Sequence, residues 1–248
     1  MADLGKQSLT SVDLSYMSSL TAEATLELAR ACGLKSLFLN GCTFVNDDFL
    51  EGLASALPGL KGLEADECID VGNRGVRALA LACPGLQRLA VQHSRCDDDA
   101  LSLLAERCGS ALRLLRISFC RRLTVQGLES LVTHAHGLQE ISAGGCGMPN
   151  HIVARLCDAC CDLRRLDVHW SRDLTDVHPL AWCAKLTSLN LSWCQVVDPD
   201  QLVAVLGRCV SLERLCLDGA RFVDLSLVQV STPPHLSPHS LPPTPQLA

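Results

Sequence analysis

Aromatic residues are scarce in this chain: three Trp, one Tyr and five Phe, 4% of its 248 residues. Apolar residues nonetheless make up 48% of the sequence, and leucine carries most of that load. A core built from one branched aliphatic type suits stacked, similar layers better than a mixed globular interior. Positive charge is also in short supply. Lys and Arg number 21 against 27 Asp and Glu, a formal net charge of −6 that leaves no electrostatic footprint for nucleic acid. The excess negative charge lies in residues 1–110, which suits a solvated surface or a partner with a basic patch. No stretch approaches the roughly 18 consecutive apolar residues of a membrane span. The opening Met1-Ala2-Asp3-Leu4-Gly5-Lys6 lacks the apolar centre of a signal peptide. No glycine-rich phosphate loop and no nucleophile elbow is present, so we expect no enzyme activity and no cofactor.

Cysteine, by contrast, is abundant, at fifteen residues. So many thiols outside a disulfide framework point to a cytoplasmic or nuclear address, where they stay reduced.

What organises the chain is a repeat. The pattern L-x-x-L-x-L-x-x-C starts at Leu9, Leu34, Leu60, Leu86, Leu112, Leu138, Leu163, Leu186 and Leu212, at steps of 25, 26, 26, 26, 26, 25, 23 and 26 residues. Such a period marks a solenoid with one strand and one helix per repeat. Within each copy the leading residues alternate, as in Leu34-Lys35-Ser36-Leu37-Phe38-Leu39, the period-two sign of a strand with one buried face. After position nine the period lengthens to that of a helix, as in Phe49, Leu50, Leu53, Ala54 and Leu57. Asn46-Asp47, Asn73, Asp97, Thr124 and Thr175 are expected to cap helix starts, and Asp198-Pro199 adds a cap followed by proline. Pro58-Gly59 and Pro84-Gly85 end helices. The expected fold is therefore an α/β solenoid of about nine repeats over residues 1–230, with a curved parallel sheet inside and helices outside. Residues 231–248 hold six of the eleven prolines and no charge, and read as a disordered tail.

The cysteines fall into columns. Cys42, Cys68, Cys120, Cys146 and Cys194 occupy position nine, and Cys32, Cys83, Cys108, Cys160, Cys183 and Cys209 lie at helix ends. A residue that recurs once per layer has a role in that layer, and a buried thiol suits a turn. Cys157-Asp158-Ala159-Cys160-Cys161 raises zinc as the alternative, but Cys183 and His178 do not supply a second ligand pair at zinc spacing, so no metal is expected.

This nine-residue pattern, with helix ends such as Ala82-Cys83-Pro84-Gly85-Leu86, resembles the cysteine-containing subclass of leucine-rich repeats. Leu37-Phe38-Leu39-Asn40-Gly41-Cys42 and Leu189-Asn190-Leu191-Ser192-Trp193-Cys194 lie especially close to it, and the likeness covers roughly residues 8–228. The subclass is best known from F-box/leucine-rich-repeat proteins. The resemblance implies a concave face that recruits a protein substrate, while an F-box engages a Skp-type adaptor and a cullin ubiquitin ligase. Only eight residues precede Leu9, so an F-box is expected upstream in a longer form, unless the protein belongs to the F-box-lacking relatives.

Strand positions three, five, seven and eight are expected to face a partner. Position eight is aromatic or imidazole in Tyr16, His93, Phe119, Trp170 and Trp193. Two compatible roles fit these rings: stacking along the solenoid edge, and contact with a partner, where Trp and Tyr dominate binding energy. Arg116, Phe119, Arg165, His169, Trp170 and Trp193 form the candidate docking surface. Asp167, His169 and Ser171 mimic a catalytic set, but residues this close along one strand are not expected all to converge on one point.

Overall fold

The computed structural model describes residues 9–194 and 198–220. The proline-rich segment 231–248 lies outside the described residues.

Nine three-residue strands form one open parallel sheet in sequence order: β1 (Ser11–Asp13), β2 (Ser36–Phe38), β3 (Gly62–Glu64), β4 (Arg88–Ala90), β5 (Leu114–Arg116), β6 (Glu140–Ser142), β7 (Arg165–Asp167), β8 (Ser188–Asn190) and β9 (Arg214–Cys216). The register follows the repeat without a slip. Val12, Leu37, Leu63, Leu89, Leu115, Ile141, Leu166, Leu189 and Leu215 pair in a single row. From Leu34 onward the leading leucines are buried, whereas Leu9 in the first described layer is 44% exposed. Each layer covers its apolar side chains only with its neighbours, which is why the fold needs the period.

Helices α1 (Ala22–Cys32), α2 (Asp47–Ala56), α3 (Asn73–Ala82), α4 (Asp98–Cys108), α5 (Val125–His134), α6 (Asn150–Ala159) and α7 (Pro199–Arg208) return the chain to the next strand. Asn46, Asp97, Thr124 and Asp198 cap their helices as expected. Two expectations need correction. The N-cap of α3 is Gly72, and Asn73 is its first helical residue. In the repeat from Leu163 to Leu186, no α-helix follows Thr175. That repeat is the shortest, and it closes with a five-residue 3-10 turn at His178–Trp182 with Pro179 at its start.

The first helical residues do a job the sequence does not announce. Asp47 Oδ1 accepts from Gly72 N at 2.7 Å and Gly75 N at 3.0 Å, capping the next helix from outside. Asn73 Oδ1 accepts from Asp97 N at 2.9 Å, Asp98 Oδ1 from Thr124 N at 2.8 Å, and Asn150 Oδ1 from Thr175 N at 2.8 Å. A carboxylate or amide at this position therefore stitches each repeat to its successor.

The cysteine columns are a second stitch. Cys42, Cys68, Cys120, Cys146 and Cys194 each donate to the position-six carbonyl of the repeat before, at 3.1 to 3.6 Å. At the helix ends, Cys83, Cys108, Cys160 and Cys209 donate to a carbonyl one layer back at 3.3 or 3.4 Å. A small apolar side chain with one weak donor satisfies a carbonyl in a space too tight for a larger group. Around Cys157-Asp158-Ala159-Cys160-Cys161 the thiols diverge: Cys157 and Cys160 are buried and Cys161 is exposed. Among the described residues, no three His, Cys, Asp or Glu side chains form a metal-holding group.

Candidate protein-binding face

Position eight is where the strand leaves the sheet. The N–H of position nine closes a four-residue turn onto the carbonyl of position six, for example Cys42 N to Leu39 O at 3.1 Å and Cys120 N to Ile117 O at 3.1 Å. Position eight is the third residue of that turn, the place where positive φ arises. All nine copies adopt it: Gly41, Gly145 and Gly219, and also Tyr16, Glu67, His93, Phe119, Trp170 and Trp193, at φ from 59° to 70°. Each corner N–H continues the ladder into the next repeat, as from Phe119 to Gly144 O at 2.8 Å and from Trp193 to Asp218 O at 2.7 Å. Six side chains other than glycine thus hold a left-handed backbone that costs each about 1–2 kcal/mol.

The corner rings lean onto the following repeat. Trp170 and Trp193 stack at 5.3 Å with 15° between planes, and His93 and Phe119 at 4.7 Å with 21°. Every run of rings ends on a glycine. A Cβ on Gly41, Gly145 or Gly219 would meet the ring of Tyr16, Phe119 or Trp193 at 2.5 to 2.7 Å. Glycine is required there twice over, for its φ and for its missing side chain. The alternation of rings with glycine at one repeat position was the signal in the sequence that could have revealed this corner. Position eight therefore belongs to the rim and not to the strand face, correcting the expectation that it lines the sheet. The rings remain open to solvent, with Tyr16 66%, Trp170 41% and Trp193 50% exposed.

The six candidate residues come together as three pairs. Trp170 and Trp193 form the rim stack. Phe119 and His169 meet edge to face at 5.2 Å, with His169 lying over Gly144. Arg116 and Arg165 are joined through Glu140, whose carboxylate accepts from Arg116 Nε at 2.8 Å and from Arg165 at 3.3 Å.

Glu140 and Glu64 are the functional-face residues that the sequence reading did not single out as partners of the arginines. Glu64 is 7% exposed and reaches across two repeats to Arg116 at 3.3 Å, while also binding Arg88. Arg88, Glu64, Arg116, Glu140 and Arg165 thus alternate in sign across β3 to β7. Burial works against the charge of Arg116, but Glu140, Glu64 and Asp66 outweigh it and raise its pKa. Arg116, Glu140 and Arg165 of this row line a recess of about 320 Å³ with Asp167, Asn190 and Arg214.

His169 Nδ1 donates to Asp167 Oδ1 at 2.6 Å. Burial raises the Asp167 pKa, yet the hydrogen bonds and charge of His169 outweigh burial and hold the carboxyl below its usual value. Ser171 takes the position-nine slot of its repeat and is fully buried, with its hydroxyl unpartnered among the described residues. It shares no face with the His169–Asp167 pair.

Comparison with known proteins agrees with the repeat. The model described as Leucine Rich Repeat matches residues 33–58, and a second of the same description matches residues 183–200. The chain carries leucine-rich repeats in both of these segments. A yeast structure, that of the Rad7 and Elc1 complex, superposes at a TM-score of 0.54 with 18% identity, over 91% of this chain and 73% of that one. An internalin from Listeria monocytogenes gives a TM-score of 0.45 with 16% identity, over 84% and 68% of the two chains. The first of these likenesses is one of fold. Leucine-rich-repeat solenoids suit protein–protein interaction, and this one offers a continuous polar sheet face edged by exposed rings. Among the described residues, no helix is long and apolar enough to cross a membrane.

Proposed function

We propose that this chain is the substrate-recognition solenoid of a cullin-type SCF ubiquitin ligase, binding a protein on its sheet face in the cytoplasm or nucleus. An F-box, and not the repeats, would engage the Skp-type adaptor. The observation that supports a binding role is the Trp170–Trp193 stack. Two large rings half exposed at a rigid rim, beside a pre-organised row of arginines and carboxylates, have the chemistry of a binding hot spot. The ligase assignment rests on the cysteine-type repeat, and the Rad7 fold neighbour was itself solved as a complex with a second protein, Elc1. Ser171, which completed the catalytic-looking set in the sequence, is buried away from the Asp167–His169 pair.

The second reading is a scaffold or inhibitor-type leucine-rich-repeat protein that grips a partner without any ligase. Co-precipitation with purified Skp-type adaptor and cullin separates the two. Capture supports the ligase reading, and a chain that captures neither favours the scaffold. Under either reading, Trp170→Ala and Trp193→Ala should weaken partner binding about tenfold while leaving the chain folded. Phenylalanine at the same positions should restore most of it. Normal binding by both alanine variants, or a loss explained by their thermal unfolding, would remove the rim stack from the interface.

A further inference from the structure

The strand-start edge of the sheet carries a second feature, opposite the ring-bearing rim. A recess of about 480 Å³ is lined by Arg88, Arg113, Arg116, Arg164 and Arg165, with Glu140 as its one acidic residue. Glu64 reaches Arg88 and Arg116 from behind. Five guanidinium groups therefore face three carboxylates, Glu64, Glu140 and Asp66, the last 3.9 Å from Arg116, in a chain whose overall charge is −6. Local charge opposes global charge here, so the recess is not a by-product of a basic protein.

The arginines are also held in place. Arg113 donates to the carbonyls of Ser110 at 3.0 Å and Leu112 at 2.8 Å, and its guanidinium lies over Gly137. Arg116 and Arg165 are braced by Glu140, and Arg88 by Glu64. Arg164 makes no side-chain ion pair or hydrogen bond among the described residues and is exposed. Each braced guanidinium has donors left over, because one carboxylate shared between two arginines cannot occupy five N–H groups on each.

We infer that this recess binds an acidic segment of a protein partner, an extended peptide bearing carboxylates at alternate positions; the assignment rests on the reading of the chain as a protein-binding solenoid. The spacing fits. Arg88 and Arg164 stand three strand spacings apart, roughly 14 Å at about 4.8 Å per strand. Side chains i and i+4 of an extended peptide lie about 13 Å apart, with i+2 between them on the same face. Alternating carboxylates therefore reach the guanidinium charge that Glu64, Glu140 and Asp66 leave in excess. At the opposite ends of the strands the exposed Glu67, Asp70 and Asp99 would repel the same peptide. A nucleic acid is the less favoured ligand. Its phosphates want a longer basic stripe, and the rings that would stack on bases lie on the other rim.

The test is fluorescence anisotropy of the full chain with a labelled peptide carrying Glu-Gly-Glu-Gly-Glu. Arg164→Glu/Arg165→Glu should weaken binding tenfold or more. Arg77→Glu/Arg208→Glu, the same charge change on the outer helices, should alter it less than twofold. Equal loss in both double variants, or no binding to the wild-type chain, overturns the assignment. So does an oligothymidylate, or a phosphoserine peptide of the same length, that binds when the glutamate peptide does not. The wider reading is scored separately. If a partner still depends on Trp170 and Trp193 but ignores Arg164→Glu/Arg165→Glu, the solenoid is a binder and the acidic-segment assignment alone has failed.

Discussion

At the scale of single residues, the corner at position eight sets two opposing effects against each other. Left-handed φ costs a residue other than glycine, and a ring stack repays it with about 0.5–1.5 kcal/mol beyond area burial. Glu67 has the cost without the ring contact, at φ 64° and fully on the surface. Glu67→Gly is therefore expected to stabilise the chain by about 0.5–1 kcal/mol after the extra entropy of unfolded glycine is counted. Trp193→Gly relieves the same strain but removes the stack on Trp170, and should destabilise by about 1 kcal/mol. Gly145→Ala adds strain and drives a methyl into the Phe119 ring, and should cost about 2–3 kcal/mol. Urea midpoints of the three variants check the signs, and a stabilising Gly145→Ala would refute the account of the corner. The rings at this position were legible in the sequence, but their left-handed backbone was not, because φ follows from a turn that closes against the neighbouring repeat.

At the scale of elements, strands and helices came out of the hydrophobic pattern, since burial of one face is a local property. The interruption in the seventh repeat did not. Its three missing residues leave room for a 3-10 turn only, and Pro179 suits the start of that turn. Caps were half legible. Asn46 caps its own helix, while Asp47 caps the next one, whose N-cap Gly72 has no side chain to offer. Asp47→Ala removes a charged acceptor from two backbone N–H groups and should cost about 2–3 kcal/mol. Asp47→Asn should keep most of that, since an amide oxygen accepts in the same place. The urea midpoint should move with an unchanged slope, and a silent Asp47→Ala would mean that water caps α3 equally well.

At the scale of the whole molecule, the buried thiols act together. Burial pushes Cys68, Cys108, Cys160, Cys194 and Cys209 up to about 11 and Cys146 up to about 12, from an ordinary value near 9. Below pH 9 both folded and unfolded thiols are protonated, and the stability they contribute is complete. Above it the unfolded chain ionises first, so stability falls as pH rises towards about 11. Each pH unit of that difference is worth about 1.4 kcal/mol per thiol, against a typical total stability of ~5–15 kcal/mol. Cooperative alkaline unfolding between pH 9 and 11, followed by circular dichroism, is the expected result. A melting temperature flat to pH 11 would show that the thiols are more accessible than their burial implies. At neutral pH the exposed Cys161 should react first with a disulfide reagent, the half-buried Cys32 and Cys216 more slowly, and all fifteen only after denaturation.

The sequence by itself determined the period, the layers, the direction of the sheet and the two cysteine columns. Each is a repeat-by-repeat consequence of hiding leucine from water. Only the tertiary structure decided what the sheet face is chemically. Arg116 looked free to meet a partner, but Glu64, 52 residues earlier, and Glu140 claim much of it, and the arginines without an ion pair among the described residues of this recess are instead Arg113 and Arg164. Long side chains choose partners one or two layers away by reach and by sign. That choice depends on which residues the stacking sets side by side, and the pattern within one repeat does not contain it.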